Sequence, residues 1–201
     1  MRKIFDGKFI ITEQIKKEII DKPLTIKRFE LEALKIKQLF DEKVLELPSS
    51  VGIKNNEILE QTAKLVDIAN NLFIGREKEI HLISSGEASC LALGKLLEDK
   101  KINNIIAIDE RTMRMLVEKP ENLQKLLQRK LHTRVIIKKK NFSAFKGFKI
   151  IRSAELVYIA YKKGLVKLKN GQTVLDALLW AVKFKGCSIS NDEIAEIKKI
   201  G

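Results

Sequence analysis

Cysteine, histidine and proline are scarce in this sequence: of 201 residues, two are Cys, two are His and three are Pro. Cys90 and Cys187 lie far apart with no Cys-x-x-Cys spacing, and His81 and His132 do not stand at ligand spacing. A structural zinc site is therefore not expected. Long apolar runs are also missing. The first one, Phe9 to Ile11, is too short for a signal peptide. No stretch approaches the ~20 apolar residues that cross a bilayer, and even Ala177 to Val182 stops at Lys183. The expectation is a soluble, cytoplasmic protein with no membrane partner. There is no Gly-x-Gly-x-x-Gly, no Walker A loop and no Gly-x-Ser-x-Gly elbow. Nucleotide-cofactor enzymes and triad hydrolases are thereby disfavoured.

What the chain has in quantity is charge. Lys and Arg number 39 against 26 Asp and Glu, a net +13, with 32% of residues charged. An excess of this size favours a polyanionic partner, nucleic acid above all. A Lys/Glu/Ile-rich thermophile surface is the alternative, although it accounts for charges of both signs better than for an excess of one. The hydrophobic fraction of 45% supports a sizeable core. With no low-complexity linker, one domain is expected over 1–201, with a core at about 8–151 and a helical extension at about 153–201.

The coarse pattern alternates strands and helices. Strands are predicted at Lys8 to Ile11, Val44 to Leu47, Ile80 to Ser84, Asn104 to Asp109 and Phe148 to Ile151. Thr12 caps a predicted helix to about Asp21. Thr25 caps a second, with the stripe Ile26, Phe29, Ala33, Ile36, Phe40. A long helix is predicted over 56–74 with Leu59, Val66, Ala69 and Phe73 on one face, and another from Gly86 to about Asp99. Two helices separated at Pro120 follow, and three more after Ser153 are broken at Gly164 and Gly186. This order predicts an α/β fold with a parallel sheet covered on both faces.

In such sheets chemistry collects beyond the carboxyl ends of the strands. Asp109 ends the Asn104 to Asp109 strand, and Glu87 lies in the first turn after Ile80 to Ser84. Glu18 rides the helix after the first strand, at ~300° on a wheel that puts Ile15 at 0° and Ile19 at ~40°. Carboxylates gathered in one crevice repel each other, and a hard divalent cation such as Mg²⁺ or Mn²⁺ would hold them together. That cation would activate a water and stabilise charge built up during displacement at phosphorus. Each acid also has a purely structural reading. Ser84-x-x-Glu87 forms a capping box, Asp109 can cap the helix that follows, and Glu18 can be a solvated helix charge.

At these residues the sequence resembles the archaeal and bacterial PIN-domain family, in its toxin-like branch. Gly86-Glu87-Ala88 with Leu91-Ala92-Leu93 matches that branch's Gly-Glu-Ala signature. Ile108-Asp109-Glu110-Arg111 resembles its strand-end motif, with Glu110 standing where the family has a second Asp. Ile15 to Ile19 resembles the early helix that carries an acid. Glu155 to Gly164, Leu175 to Leu178 and Gly186 to Glu193 are similar to the closing helices. The resemblance implies a PIN-like sandwich, with a central parallel sheet flanked by helices and extra C-terminal helices. It implies a metal-dependent endoribonuclease with Glu18, Glu87 and Asp109 as catalytic acids. These three and Glu110 would be the metal ligands, Mg²⁺ or Mn²⁺ the cofactor, and an antitoxin-like inhibitor protein a partner.

The family's first strand ends in Asp followed by a small polar residue. Met1 to Asp6 resembles it superficially, but Glu18 follows too soon for the family's first helix pair. Two expectations follow: the true start lies upstream, or the chain is a degenerate member that binds nucleic acid without turnover. The RNA-contacting residues expected are Arg111, Lys138, Lys139, Lys140, Lys146 and Lys149, beside Phe142, Phe145 and Phe148. The apolar helix around Trp180 is read as core or as a homodimer face.

Overall fold

The computed structural model describes residues 3–168 and 171–200. β1 (Phe9–Ile10) leads to Thr12, whose Oγ1 accepts the Ile15 N–H at 3.2 Å and starts the predicted helix. The helix runs further than expected. α1 (Glu13–Lys16) passes through a π turn (Lys17–Asp21) into α2 (Lys22–Leu24). Pro23 accounts for the wide turn, because it has no N–H to donate and its ring crowds the carbonyl four residues back. Thr25 does not cap the next helix as predicted. Its hydroxyl donates back to Lys22 O at 2.7 Å, and α3 (Lys27–Asp41) begins after Ile26 without a side-chain cap. Of the expected α3 stripe only Ala33 is buried, and Phe29 is 47% exposed.

β2 (Leu45–Glu46) pairs parallel with β1, and Pro48 opens a 3₁₀ turn (Pro48–Val51). α4 (Asn55–Asn70) ends before the periodicity predicts. Asn71 closes it, its side-chain amide donating to Asp67 O at 2.9 Å. The buried face is Ile58, Thr62, Leu65 and Ala69, one position away from the expected Leu59, which is 46% exposed. Phe73 is buried as predicted, but in a strand, β3 (Phe73–Gly75). The chain then turns through Arg76 and Glu77, both at positive φ, into β4 (Lys78–Glu79). The expected strand over 80–84 is absent. Its Leu82 N–H donates to Asn70 Oδ1 at 2.9 Å, and Ile83 is buried without joining a ladder.

α5 (Ser85–Asp99), β5 (Ile106–Ala107), α6 (Arg111–Glu118) and α7 (Pro120–Leu131) follow where the sequence predicts them. β6 (Val135–Ile137) lies antiparallel to β3, giving the order β4-β3-β6. After a 3₁₀ segment (Lys139–Phe145), β7 (Ile150–Ile151) pairs parallel with β5. The protein is thus a mixed α/β fold whose described strands form three small sheets, two parallel and one antiparallel. The main core is built on α4 and α5, with Ile58, Leu65, Leu91, Ala92, Met113 and Leu123 at 2% exposure or less. Gly94 lets β5 approach α5: a Cβ there would stand 2.7 Å from Ile106 Cδ1.

α8 (Ser153–Lys162), α9 (Gly171–Phe184) and α10 (Asn191–Ile200) gather round a second cluster containing Ala154, Leu175, Leu179 and Ile194. Gly164 and Gly186, at φ +63° and +109°, break these helices as the sequence predicts. Trp180 packs against this cluster, stacks on Phe184 and lies under Lys183. Among the described residues no helix is long and apolar enough to cross a membrane.

Candidate functional site

Two of the four predicted acids meet at the start of α5. Ser84 caps this helix, its Oγ accepting the Glu87 N–H at 3.2 Å, while Glu87 Oε2 accepts the Ser84 N–H at 2.7 Å. The Glu18 carboxylate lies against Gly86, where even a Cβ would be too close to it. Both acids act on Cys90, whose thiol is pushed up to about 11 by burial first, then by Glu18 and Glu87. A hydroxyl chain joins the same two helices. Thr12 Oγ1 and Ser89 Oγ are 2.7 Å apart, and Ser89 Oγ donates to Gly86 O at 2.6 Å. Since the Ser89 proton is used there, Thr12 is the donor to Ser89.

The other two acids stand at the end of β5, and each is engaged. Glu110 caps α6, accepting the Met113 N–H at 2.6 Å. Asp109 accepts the Ser153 N–H on Oδ1 at 2.8 Å and the Ser153 hydroxyl on Oδ2 at 2.5 Å. Its backbone carbonyl takes the Ser188 N–H at 3.2 Å. The Cys187 thiol is pushed up to about 11, by burial first and then by its hydrogen bond to Asp109. Asp109 therefore does not cap the helix directly after it. It ties the end of β5 to the start of α8 and to the loop before α10.

An ion network extends this tie. Arg152 contacts Glu155, donates to Ser188 O at 2.9 Å and reaches Glu193 at 2.8 Å, while Arg114 approaches Glu193 at 3.6 Å. Burial opposes charge on Glu193. The Ser190 N–H and then Arg152 outweigh it, bringing the carboxyl down to about 2.

Glu87 belongs to a set. Glu57, Glu87, Glu155 and Glu193 each accept the N–H three residues earlier, at 2.7 to 2.8 Å. The structure thus separates the predicted acids into two pairs, Glu18 with Glu87 and Asp109 beside Glu110. Among the described residues no three Asp, Glu, His or Cys side chains form a group that could hold a metal ion. Two hollows of about 380 and 360 Å³ lie at the carboxyl and amino ends of the β1–β2 pair, and none of the four acids lines either.

The cations are more concentrated than the motif residues suggest. From residue 122 to residue 154 there is no Asp or Glu, while ten residues are Lys or Arg. The other 168 residues carry 29 Lys and Arg against 26 Asp and Glu, a balance of only +3. α7 exposes Lys125, Arg129 and Lys130. Along β6 and its flanks Arg134, Ile136 and Lys138 are exposed while Val135 is buried, the alternation of a half-buried strand. Gln124 holds α7 to β6 by donating to Val135 O at 2.7 Å. Lys146 and Lys149 are exposed further along the chain.

Lys138 stands 3.8 Å from Glu79; the other six have no ion-pair partner among the described residues. The side chains of Lys139 and Lys140 lie outside the described residues. Arg111 is exposed at the start of α6, outside this segment. The motif reading missed Lys125, Arg129, Lys130 and Arg134. The signal that finds them is the missing acids, not the clustered lysines. The neighbouring phenylalanines turn inward: Phe145 is 1% exposed, and Phe142 and Phe148 pack on the main core, Phe142 edge-on to Phe73.

Comparison with protein-family models, with curated proteins and with solved structures returned no match.

Proposed function

We propose that this protein binds RNA through the phosphate backbone, on a PIN-like scaffold and without turnover. The observation that carries the reading is the placement of charge. Ten of the +13 excess fall in one acid-free segment whose described lysines and arginines, apart from Arg152, are exposed. A surface enriched in both signs for thermal stability would mix its charges. Lys and Arg massed on mutually packed elements instead release counterions when they meet a phosphate chain. The acids support the same reading, because Glu87, Asp109 and Glu110 each accept hydrogen bonds that hold a helix start.

A second reading, a Mg²⁺- or Mn²⁺-dependent ribonuclease, is favoured by the meeting of Glu18 and Glu87 at the start of α5. One experiment separates the two. A labelled RNA is titrated with the protein across a salt series, with Mn²⁺ and with chelator, and the RNA is then sized. The binding reading expects salt-sensitive affinity unchanged by chelator, and intact RNA. Metal-dependent cleavage abolished by Glu87→Gln establishes the nuclease. Absence of binding even at low salt overturns both.

A further inference from the structure

The acid-free segment makes a surface rich in charge and poor in rings. Proteins that grip single strands without sequence preference combine a cationic groove with aromatic faces on which bases stack. Here the segment's three phenylalanines, Phe142, Phe145 and Phe148, are turned into the main core. The exposed groups among the described residues include ammonium and guanidinium ions, the single imidazole of His132, and the aliphatic Leu131 and Ile136, at 41% and 55% exposure. One imidazole is no row of rings along which successive bases could stack.

Its affinity must therefore come mainly from phosphate contacts, and those favour the denser polyanion. A duplex carries two phosphates where a single strand carries one, and its condensed counterion atmosphere is correspondingly heavier. The geometry also suits a stiff partner. Lys125 and Arg129 are one helical turn apart, ~6 Å along α7. Arg134 and Lys138 lie ~13 Å apart along the extended chain of β6. Both spacings are set by backbone hydrogen bonding, so the array meets a regular ladder of phosphates without first ordering a flexible strand. We infer that this face takes the backbone of double-helical RNA, in preference to single strands and without reading bases. The inference rests on the RNA-binding reading and narrows it.

The test is fluorescence anisotropy with an RNA duplex of about 20 base pairs and with one of its strands alone, between about 50 and 200 mM salt. With about five phosphates engaged, log K against log salt should have a slope of about −4.5 for the duplex, an affinity loss of roughly 500-fold over that range. For the single strand the slope is about −3.5 and the loss roughly 130-fold. The duplex should bind at least about tenfold tighter at the low-salt end, and scrambling its sequence should change nothing.

The triple variant Arg129→Glu, Lys130→Glu, Arg134→Glu should lose duplex binding while keeping the parent's circular dichroism and Tm, since all three side chains are exposed. Should the charge reversals disturb folding, Lys125→Gln and Arg129→Gln singly should each lower the slope by about 0.9. Equal or tighter binding of the single strand overturns the duplex inference and leaves the RNA-binding reading standing. Duplex binding untouched by these variants overturns the assignment to this face. Failure of both RNAs, or binding to anionic vesicles alone, overturns the inference together with the RNA-binding reading.

Discussion

Replacing Asp109 separates a tie between two cores from a catalytic acid. Its carboxylate accepts the Ser153 N–H and the Ser153 hydroxyl, and it takes the Cys187 thiol proton into a further hydrogen bond. These contacts join the end of β5 to the first turn of α8, and so the main core to the C-terminal cluster. Asp109→Ala removes every side-chain acceptor. Hydrogen bonds to a charged group contribute ~1.5–3 kcal/mol each, and the site is half-buried, so the loss should total about 3 kcal/mol. For a chain of this length that lowers Tm by roughly 6–12 °C. Asp109→Asn keeps one oxygen for the Ser153 N–H, and its amide can donate to a rotated Ser153 hydroxyl. It should cost about 1 kcal/mol, or roughly 2–4 °C.

Both variants should bind RNA within about twofold of the parent below their melting points, because the number of phosphate contacts is unchanged. The assays are thermal melting by circular dichroism and RNA titration on the same samples. An Asn variant as stable as the parent would refute the tie. An Asn variant of parental stability that had also lost an RNA-directed activity would assign Asp109 to chemistry.

Two glycines should respond in opposite directions. The atoms nearest a Cβ at Gly86 belong to the end of the exposed Glu18 side chain, which can swing away, so Gly86→Ala should be neutral or stabilise by up to about 1 kcal/mol through helix propensity. A Cβ at Gly94 meets the 9%-exposed Ile106, so Gly94→Ala should destabilise by about 1–3 kcal/mol in chemical denaturation. Glu193 sits at about 2 in the folded protein against an ordinary 4.5. Its contribution to stability is therefore complete above pH 4.5 and is lost as pH falls through about 2. Glu193→Gln should be less stable than the parent at neutral pH, and the gap should close in acid; a gap independent of pH would contradict this. Cys90 and Cys187, both pushed up to about 11, should resist a thiol reagent at neutral pH until the protein unfolds. Rapid labelling of native protein would refute that.

Local punctuation was legible in the sequence, while partnership between distant segments was not. Thr12, Ser84, Pro120, Gly164 and Gly186 each mark an element boundary by their own chemistry, and each stands at one in the structure. Asn71 could have been read the same way, because its amide closes α4 and frees Phe73 for β3. The 80–84 run misled because an apolar run reports burial, not pairing. Ile83 is buried, but Asn70 and not a strand satisfies Leu82. The β3–β4 hairpin left no trace, because its turn is Arg76-Glu77 and lacks the Gly or Asn that positive φ normally selects. Pairing of β3 with β6 joins residues some sixty positions apart, which no local period encodes.

The site was legible in one half and ambiguous in the other for a physical reason. A glutamate three residues after a helix cap lies beyond a strand end whether it binds a cation or an N–H. Glu87 shares that placement with Glu57, Glu155 and Glu193, so sequence position alone cannot separate chemistry from capping. The basic face has no such double meaning. Six exposed cations without an ion-pair partner among the described residues repel one another in the free protein. Acids interspersed among them, as in the rest of the chain, would relieve that repulsion at no cost to packing. The repulsion becomes an asset only when a polyanion supplies the missing charge. A self-repelling surface beside an otherwise nearly neutral body is therefore stronger grounds for a nucleic-acid partner than the total of +13.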